Sequence, residues 1–262
     1  MISPGAALVT GGAVRVGRAM ALALAEDGWD VAVNYQSSAD DALALVAEIE
    51  GLGRKAAALQ ADLLEEAETA TLIGRAAEAL GRPITLLINN ASLFEFDDIE
   101  SATRESWDRA IESNLRAPVK LTQDFAAQAP ATKTDENGEP VASGAVINMI
   151  DQRVLKPTPM FLSYSIAKMG LHAFTRMAAQ GLAPQIRVNG IGPGPTLRGG
   201  RQTEEHFAKQ RAATVLERGS DPADIVAGMR FILATPAFTG QMLALDGGQH
   251  LGWKTPDVIG VE

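Results

Sequence analysis

At 262 residues, with 46% hydrophobic and 21% charged side chains, the chain has the composition of a folded globular protein and the length of one large domain. A formal net charge of -9 argues against a phosphate-backbone binder, and the complete lack of cysteine excludes disulfides, thiolate nucleophiles and Cys-ligated metals. His172, His206 and His250 have no ligand spacing and the Met1 to Gly5 start has no basic or long apolar stretch, so the expectation is a cytoplasmic protein handling small molecules, with no metal, nucleic acid or membrane partner.

Ala6 to Thr10 is a short apolar run between Pro4-Gly5 and Gly11-Gly12, and it reads as a buried first strand. Arg15 to Glu26 has the apolar spacing of a helix, stopped by Gly28. Trp29 to Tyr35 is a second strand, Ala39 to Leu52 a helix closed by Gly53, and Lys55 to Ala61 a third strand ending at Asp62. Glu65 to Leu80 reads as helix, Ile84 to Ile88 as strand, and Trp107 to Gln128 as one long helix. Residues 130–143 are an exposed loop, rich in Lys133, Asp135, Glu136, Asn137 and Gly138, before a fifth strand over Ala145 to Ile150. A helix over Phe161 to Gly181, a strand over Ile186 to Ile191, a helix over Asp221 to Ala234 and a strand over Gln241 to Asp246 complete the alternation. Strands and helices in strict succession predict an α/β fold: a single-domain, doubly wound, Rossmann-type sheet of seven parallel strands with helices on both faces. Residues 193–219 open on a Pro-Gly-rich run after the sixth strand, where ligands bind in such sheets, and are expected to form a substrate loop.

The turn Thr10-Gly11-Gly12-Ala13-Val14-Arg15-Val16-Gly17 lies between the first strand and its helix. Glycines there let the backbone approach a pyrophosphate at the helix N-terminus. Arg15 puts a cation where it opposes the helix dipole, which suggests a bound anion. The second strand ends Asn34-Tyr35-Gln36-Ser37-Ser38 with no acid before Asp40, so a 2'-phosphate is not repelled and NADP(H) is favoured over NAD. The nucleotide contacts expected here are Gly11, Arg15 and Val16 in the turn, Asn34, Tyr35, Ser37 and Ser38 beyond the second strand, and Asp62 with Leu63 beyond the third.

Tyr164 and Lys168 stand four apart on one predicted helix and so share a face. A neighbouring ammonium favours the phenolate and brings a phenol of ordinary pKa about 10 closer to proton transfer near neutral pH. Asp151 lies thirteen residues before the tyrosine.

Three separated motifs resemble the short-chain dehydrogenase/reductase family: the Thr10 to Gly17 turn, Asn89-Asn90-Ala91 after the fourth strand, and Tyr164xxxLys168. Pro193-Gly194 and Asp246-Gly247-Gly248 extend the likeness over essentially the whole chain. The resemblance implies that Asn90, Ala91, Pro193 and Gly194 line the cofactor cleft, that Lys168 bonds the nicotinamide ribose, that Asn114 holds a water in the proton relay, and that the protein is a homotetramer. Two departures from the common pattern, Arg15 for a glycine and Asp151 for the catalytic serine, resemble the branch of pteridine reductases and bacterial dihydromonapterin reductases. In that branch the residues matching Ser92 and Phe94 contact a pterin, though a basic residue often stands where this chain has Ser37.

A carboxylate at Asp151 would repel the negative charge that grows on a ketone oxygen but can serve a ring nitrogen that must gain a proton. The expected enzyme therefore reduces a dihydropterin, dihydrofolate or oxidised pterin with NADPH, with Asp151, Tyr164, Lys168 and Asn114 catalytic and Arg15, Ser92, Phe94, Asp151 and Tyr164 facing the substrate. A reductase of another C=O or C=N substrate, such as a 3-oxoacyl thioester or an imine, and an NADP(H) sensor without turnover are the alternatives.

Overall fold

The computed structural model describes residues 2–200, 202–255 and 258. Its first half alternates β1 (Ala6–Val9), α1 (Arg15–Glu26), β2 (Asp30–Tyr35), α2 (Ala39–Gly51), β3 (Ala56–Gln60), α3 (Glu66–Thr69), α4 (Leu72–Leu80) and β4 (Ile84–Asn89). There follow α5 (Arg104–Ile111), α6 (Ala117–Gln128), a small hairpin of β5 (Lys133–Thr134) and β6 (Pro140–Val141), β7 (Gly144–Met149) and α7 (Leu162–Leu182). The chain closes with β8 (Ile186–Pro193), α8 (Glu204–Ala212), α9 (Pro222–Ala234) and β9 (Met242–Leu245). The main sheet has seven strands in the order β3-β2-β1-β4-β7-β8-β9, every pair parallel. Strand order reverses between β1 and β4, and a crevice opens there at the carboxyl ends of the strands.

Period-two alternation sorts the strand residues between two cores. Ala7, Val9, Val31 and Val33 join Met20 and Leu24 of α1, Leu45 and Ile49 of α2, and Met229 and Ile232 of α9 on one face. Ala6, Leu8, Ala32 and Val146 join Leu72 and Leu80 of α4, Leu121 and Phe125 of α6, and Ala179 of α7 on the other. Burying a Leu or Ile side chain in full contributes roughly 1.5–3 kcal/mol, so these continuous apolar runs hold the sheet between its helices. A polar chain crosses the second layer: Asn89 Nδ2 donates to Asn148 Oδ1 at 2.8 Å, and Asn148 Nδ2 donates to Thr175 Oγ1 at 2.9 Å, tying β4 to β7 and α7.

The structure departs from the sequence expectations in four places. The expected helix Glu65 to Leu80 is two pieces, α3 and α4. The helix expected to begin at Trp107 begins at Arg104, where Thr103 and Ser106 form a capping box, and it carries a π-turn over Glu112–Arg116 between α5 and α6. Asn114 explains that turn, because its side-chain Nδ2 takes the Ala110 carbonyl at 3.1 Å, the acceptor that an unbroken α-ladder would give to the Asn114 backbone. The 130–143 loop folds into the β5–β6 hairpin, and the 193–219 segment contains α8. Among the described residues, no helix is long and apolar enough to cross a membrane.

Candidate active site

The turn after β1 requires its glycines. Gly11 has φ +57°, and a Cβ on Gly17 would lie 2.3 Å from the Gly11 carbonyl oxygen and 2.6 Å from Asn90 Nδ2. Asn90 Nδ2 donates to the carbonyls of Thr10 at 2.8 Å and Gly11 at 3.1 Å, so the residue after β4 clamps the turn in place. Helix α1 follows the N-cap residue Val14, which supplies no side-chain cap, and has no acid in its first turn, which leaves its N-terminal N–H groups and dipole for a ligand anion. These atoms face a cleft of about 390 Å3 that also reaches Gln36, Ala61, Asp62 and Leu63. A glycine cradle against an uncapped helix end fits the pyrophosphate of a dinucleotide.

The adenosine end differs in detail from expectation. Asn34 is buried and spent on backbone: its Oδ1 accepts from Gly11 N–H at 3.3 Å and its Nδ2 donates to the carbonyl of Ala61 at 3.1 Å. Tyr35 packs half-buried against the first core, and neither it nor Ser37 or Ser38 lines the cleft, whereas Gln36 does. Gln36 was missed because the side chain reaching the cleft from a strand end depends on where the pleat stops; its Nε2 donates to Asp62 Oδ2 at 2.7 Å. Arg109 is a second residue that the sequence did not point to in this cleft, and it forms an ion pair with Glu95 at 3.0 Å.

Arg15 opens α1 with φ 56°, a conformation most side chains avoid. Its Nη1 and Nη2 donate to the carbonyls of Arg198 at 2.9 Å and Leu197 at 3.1 Å, so the guanidinium bridges the turn and the segment after β8 and lines both clefts.

The second cleft, about 310 Å3, brings together Arg15, Ser92, Phe94, Asp151, Tyr164 and Lys168. Tyr164 Oη donates to Asp151 Oδ2 at 2.7 Å, while Asp151 Oδ1 accepts from the Arg153 backbone N–H at 2.8 Å. Lys168 is one helical turn beyond the tyrosine, its Nζ 5.7 Å from the phenol ring centre and donating to the Met149 carbonyl at 2.8 Å. Burial raises the Asp151 carboxyl above its ordinary range. Burial also raises the Tyr164 phenol well above its ordinary value, with the charge and hydrogen bond of Asp151 adding to it. The expectation that Lys168 would make the phenol more acidic is therefore outweighed here: removing water from a phenolate beside a carboxylate is the larger effect. Burial pushes the Lys168 ammonium down to about 8, opposed by the attraction of Asp151.

Asn114 is placed beside this group by the π-turn, accepting from Ser92 Oγ at 2.6 Å and donating to the Leu93 carbonyl at 3.0 Å. The Ser92 hydroxyl lowers the phenol pKa against the larger upward effects. Gly194 lies against β9, donating its N–H to the Leu245 carbonyl at 3.1 Å, and a Cβ there would meet Asp246 at 2.7 Å. Pro193 ends β8 beside it and also lines the cleft.

The start of α7 is strained. Phe161 has φ 58°, rare for a bulky residue, and is held by its N–H bond to the Asp97 carbonyl at 2.7 Å and by stacking on Phe94 at 4.2 Å. Phe94 in turn meets the Tyr164 ring edge-on at 4.7 Å. Asp97 is 2% exposed, and its Oδ1 accepts from Ser163 N–H at 3.1 Å, satisfying a free donor of the helix that carries Tyr164. Asp97→Ala is expected to cost about 0.5–2 kcal/mol of stability, as loss of a helix cap does, read as a Tm lower by a few degrees in thermal melts.

The family model described as short chain dehydrogenase matches residues 5–209. The FolM alternative dihydrofolate reductase 1 of Brucella suis, crystallised with NADP, is 41% identical at a TM-score of 0.90, covering 98% of this chain and 100% of that one. The corresponding Brucella canis protein, also crystallised with NADP, is 39% identical at a TM-score of 0.89, covering 99% and 100%. The 3-oxoacyl-[acyl-carrier-protein] reductase FabG of Staphylococcus epidermidis is 30% identical over 250 residues, covering 94% of this chain and 98% of that one. With its clamped glycine turn, its parallel sheet and its Tyr164–Lys168 pair in one helix, the chain belongs to the short-chain dehydrogenase family.

Proposed function

We propose that the protein is an NADPH-dependent reductase of a pterin: a dihydropterin, dihydrofolate or oxidised pterin. The observation that carries this reading is the 2.7 Å bond from Tyr164 Oη to the carboxyl of Asp151. The residue beside the catalytic phenol is thus an acid, which suits the protonation of a ring nitrogen and opposes charge growth on a ketone oxygen. When bound, NADPH supplies the hydride. The chain supplies the proton: Tyr164 Oη gives it to the ring nitrogen as the C=N bond is reduced, and the Lys168 ammonium stabilises the phenolate left behind. The raised pKa of Asp151 lets that carboxyl hold a proton nearer neutral pH than an exposed one, so the phenol and carboxyl act as a linked pair. Phe94 gives the cleft a flat apolar wall beside Tyr164. The two structural neighbours crystallised with NADP support the choice of cofactor. The reading carries with it a cytoplasmic homotetramer packed through α5, α6 and α7.

The assay is oxidation of NADPH with dihydrobiopterin, dihydrofolate and an acetoacetyl thioester. Turnover of either pterin, with little or none of the thioester, is expected. Turnover of the thioester alone would replace this reading with a FabG-like ketone reduction, a possibility kept open by the FabG relative. Arg15→Ala is expected to raise the KM for NADPH by about tenfold while changing that for NADH less than about twofold, because a guanidinium–phosphate pair is lost only with the former. Equal losses for both cofactors would show that Arg15 serves the loop carbonyls and not the 2'-phosphate.

A further inference from the structure

Two residues beyond Asp151, a short turn over Gln152–Val154 brings Arg153 to the wall of the substrate cleft. Its guanidinium carbon stands 4.9 Å from the Phe161 ring centre and 5.8 Å from that of Phe94, the rings that stack on one another. Nη1 donates to Thr158 Oγ1 at 2.8 Å, which fixes the group's orientation. An arginine has five N–H donors, and among the described residues the side chain of this one makes a single hydrogen bond and forms no ion pair. Asp151, the carboxylate in the same cleft, is already taken up by Tyr164 and by the Arg153 backbone. The Nε–Nη2 edge remains, and that planar fork is the shape that receives a carboxylate through two parallel hydrogen bonds.

The charge of the cleft points the same way. In a chain of net charge -9, this cavity is lined, among the described residues, by three cations, Arg15, Arg153 and Lys168, against one carboxylate, Asp151. Arg15 is held by loop carbonyls at the end shared with the nucleotide cleft, and Lys168 is anchored beneath the phenol on the Met149 carbonyl. Arg153 is the cation left over, on the same wall as Phe94.

We propose that Arg153 is a specificity-determining residue that receives a carboxylate carried by the substrate beyond its reducible ring, so that the site selects acidic-tailed, folate-type molecules over pterins with neutral side chains. The proposal rests on the pterin reading of the site for its substrate, and on the aromatic–guanidinium cluster for its anion. A ring lying beside Phe94 is within reach of the guanidinium, whose carbon stands 5.8 Å from the Phe94 ring centre.

The test compares the wild type, Arg153→Gln and Arg153→Lys as NADPH complexes. For dihydrofolate, Arg153→Gln is expected to raise KM about tenfold with kcat changed less than about twofold, as loss of a binding contact that does not alter in the transition state. Dihydrobiopterin, whose side chain is neutral, is expected to change less than about twofold in either parameter, and Arg153→Lys to recover part of the dihydrofolate affinity. Equal changes for the two substrates, or none for dihydrofolate, would overturn the proposal. An arm without a pteridine ring separates it from the function reading: calorimetric binding of p-aminobenzoylglutamate to the NADP+ complex, expected to weaken about tenfold in Arg153→Gln. If the wild type reduces no pterin, the function reading fails and this arm decides alone; identical binding to both forms overturns the proposal. Acetoacetyl-CoA, whose anions are phosphates, is the third arm, and an effect of Arg153→Gln confined to it would overturn the carboxylate assignment.

Discussion

Tyr164→Phe is expected to lower kcat for the preferred substrate by about 100- to 10,000-fold, the range that positioned acid catalysis contributes, with NADPH affinity nearly unchanged. The separation follows from where the hydroxyl is spent. It donates to Asp151 Oδ2 at 2.7 Å in the second cleft, whereas the glycine turn that fits a pyrophosphate is built from Gly11, Gly17 and the start of α1. The phenol ring is 6% exposed and meets Phe94, so phenylalanine keeps the packing and removes only the oxygen. Stopped-flow or steady-state NADPH oxidation, with fluorescence titration of NADPH, measures both halves. A variant that retains more than about a tenth of wild-type kcat would remove Tyr164 from the role of proton donor.

Asp151→Ser has the second-largest expected effect, and it acts in two directions. Pterin reduction should fall by about 100-fold, equivalent to roughly 2.7 kcal/mol of transition-state stabilisation, because the acid paired with the phenol is gone. The Tyr164 phenol should become easier to ionise, since the carboxylate charge and hydrogen bond that raise its pKa are removed while burial remains. Tyr164 must be protonated to donate, so the alkaline limb of the rate profile should move to lower pH. Lys168 moves in the same direction, because Asp151 is the attraction that opposes its depression to about 8. A serine hydroxyl could then donate to a developing oxyanion, and activity on an acetoacetyl thioester is expected to appear or increase. A pterin rate unaltered by the substitution would refute the part assigned to Asp151.

Much of this was legible in the sequence because the periodicities are strong where both faces are buried. The seven strands stand within a few residues of their expected places, and Asp151, Tyr164 and Lys168 meet as spacing on one helix and one strand end implied. What the sequence hid depends on tertiary contact. The acidification of Tyr164 by Lys168 rests on a pair of residues alone, and burial of the phenol itself, with the charge of Asp151 beside it, reverses the sign. Gln36 reaches the nucleotide cleft in place of Ser37 and Ser38 because the strand pleat, not residue type, decides which side chain turns inward. Asn34 lines the nucleotide cleft as expected, and its side chain also brackets β2, β3 and the glycine turn, which residue type alone does not announce. Asp97, Arg153 and Phe161 carry no motif: each matters through a neighbour far away in sequence, or through a backbone angle that composition does not encode.

The π-turn has a geometrical outcome beyond the placing of Asn114. One additional residue in a helical turn rotates everything before it by about 100° relative to everything after it. A straight rod of this length would offer a single apolar stripe to a single neighbour. Here α5 packs on α7, which bears Tyr164 and Lys168, and α6 packs mainly on α3, α4 and β4. A one-residue phase slip thus lets one continuous rod serve two differently oriented walls, and the catalytic corner stands where its two settings meet.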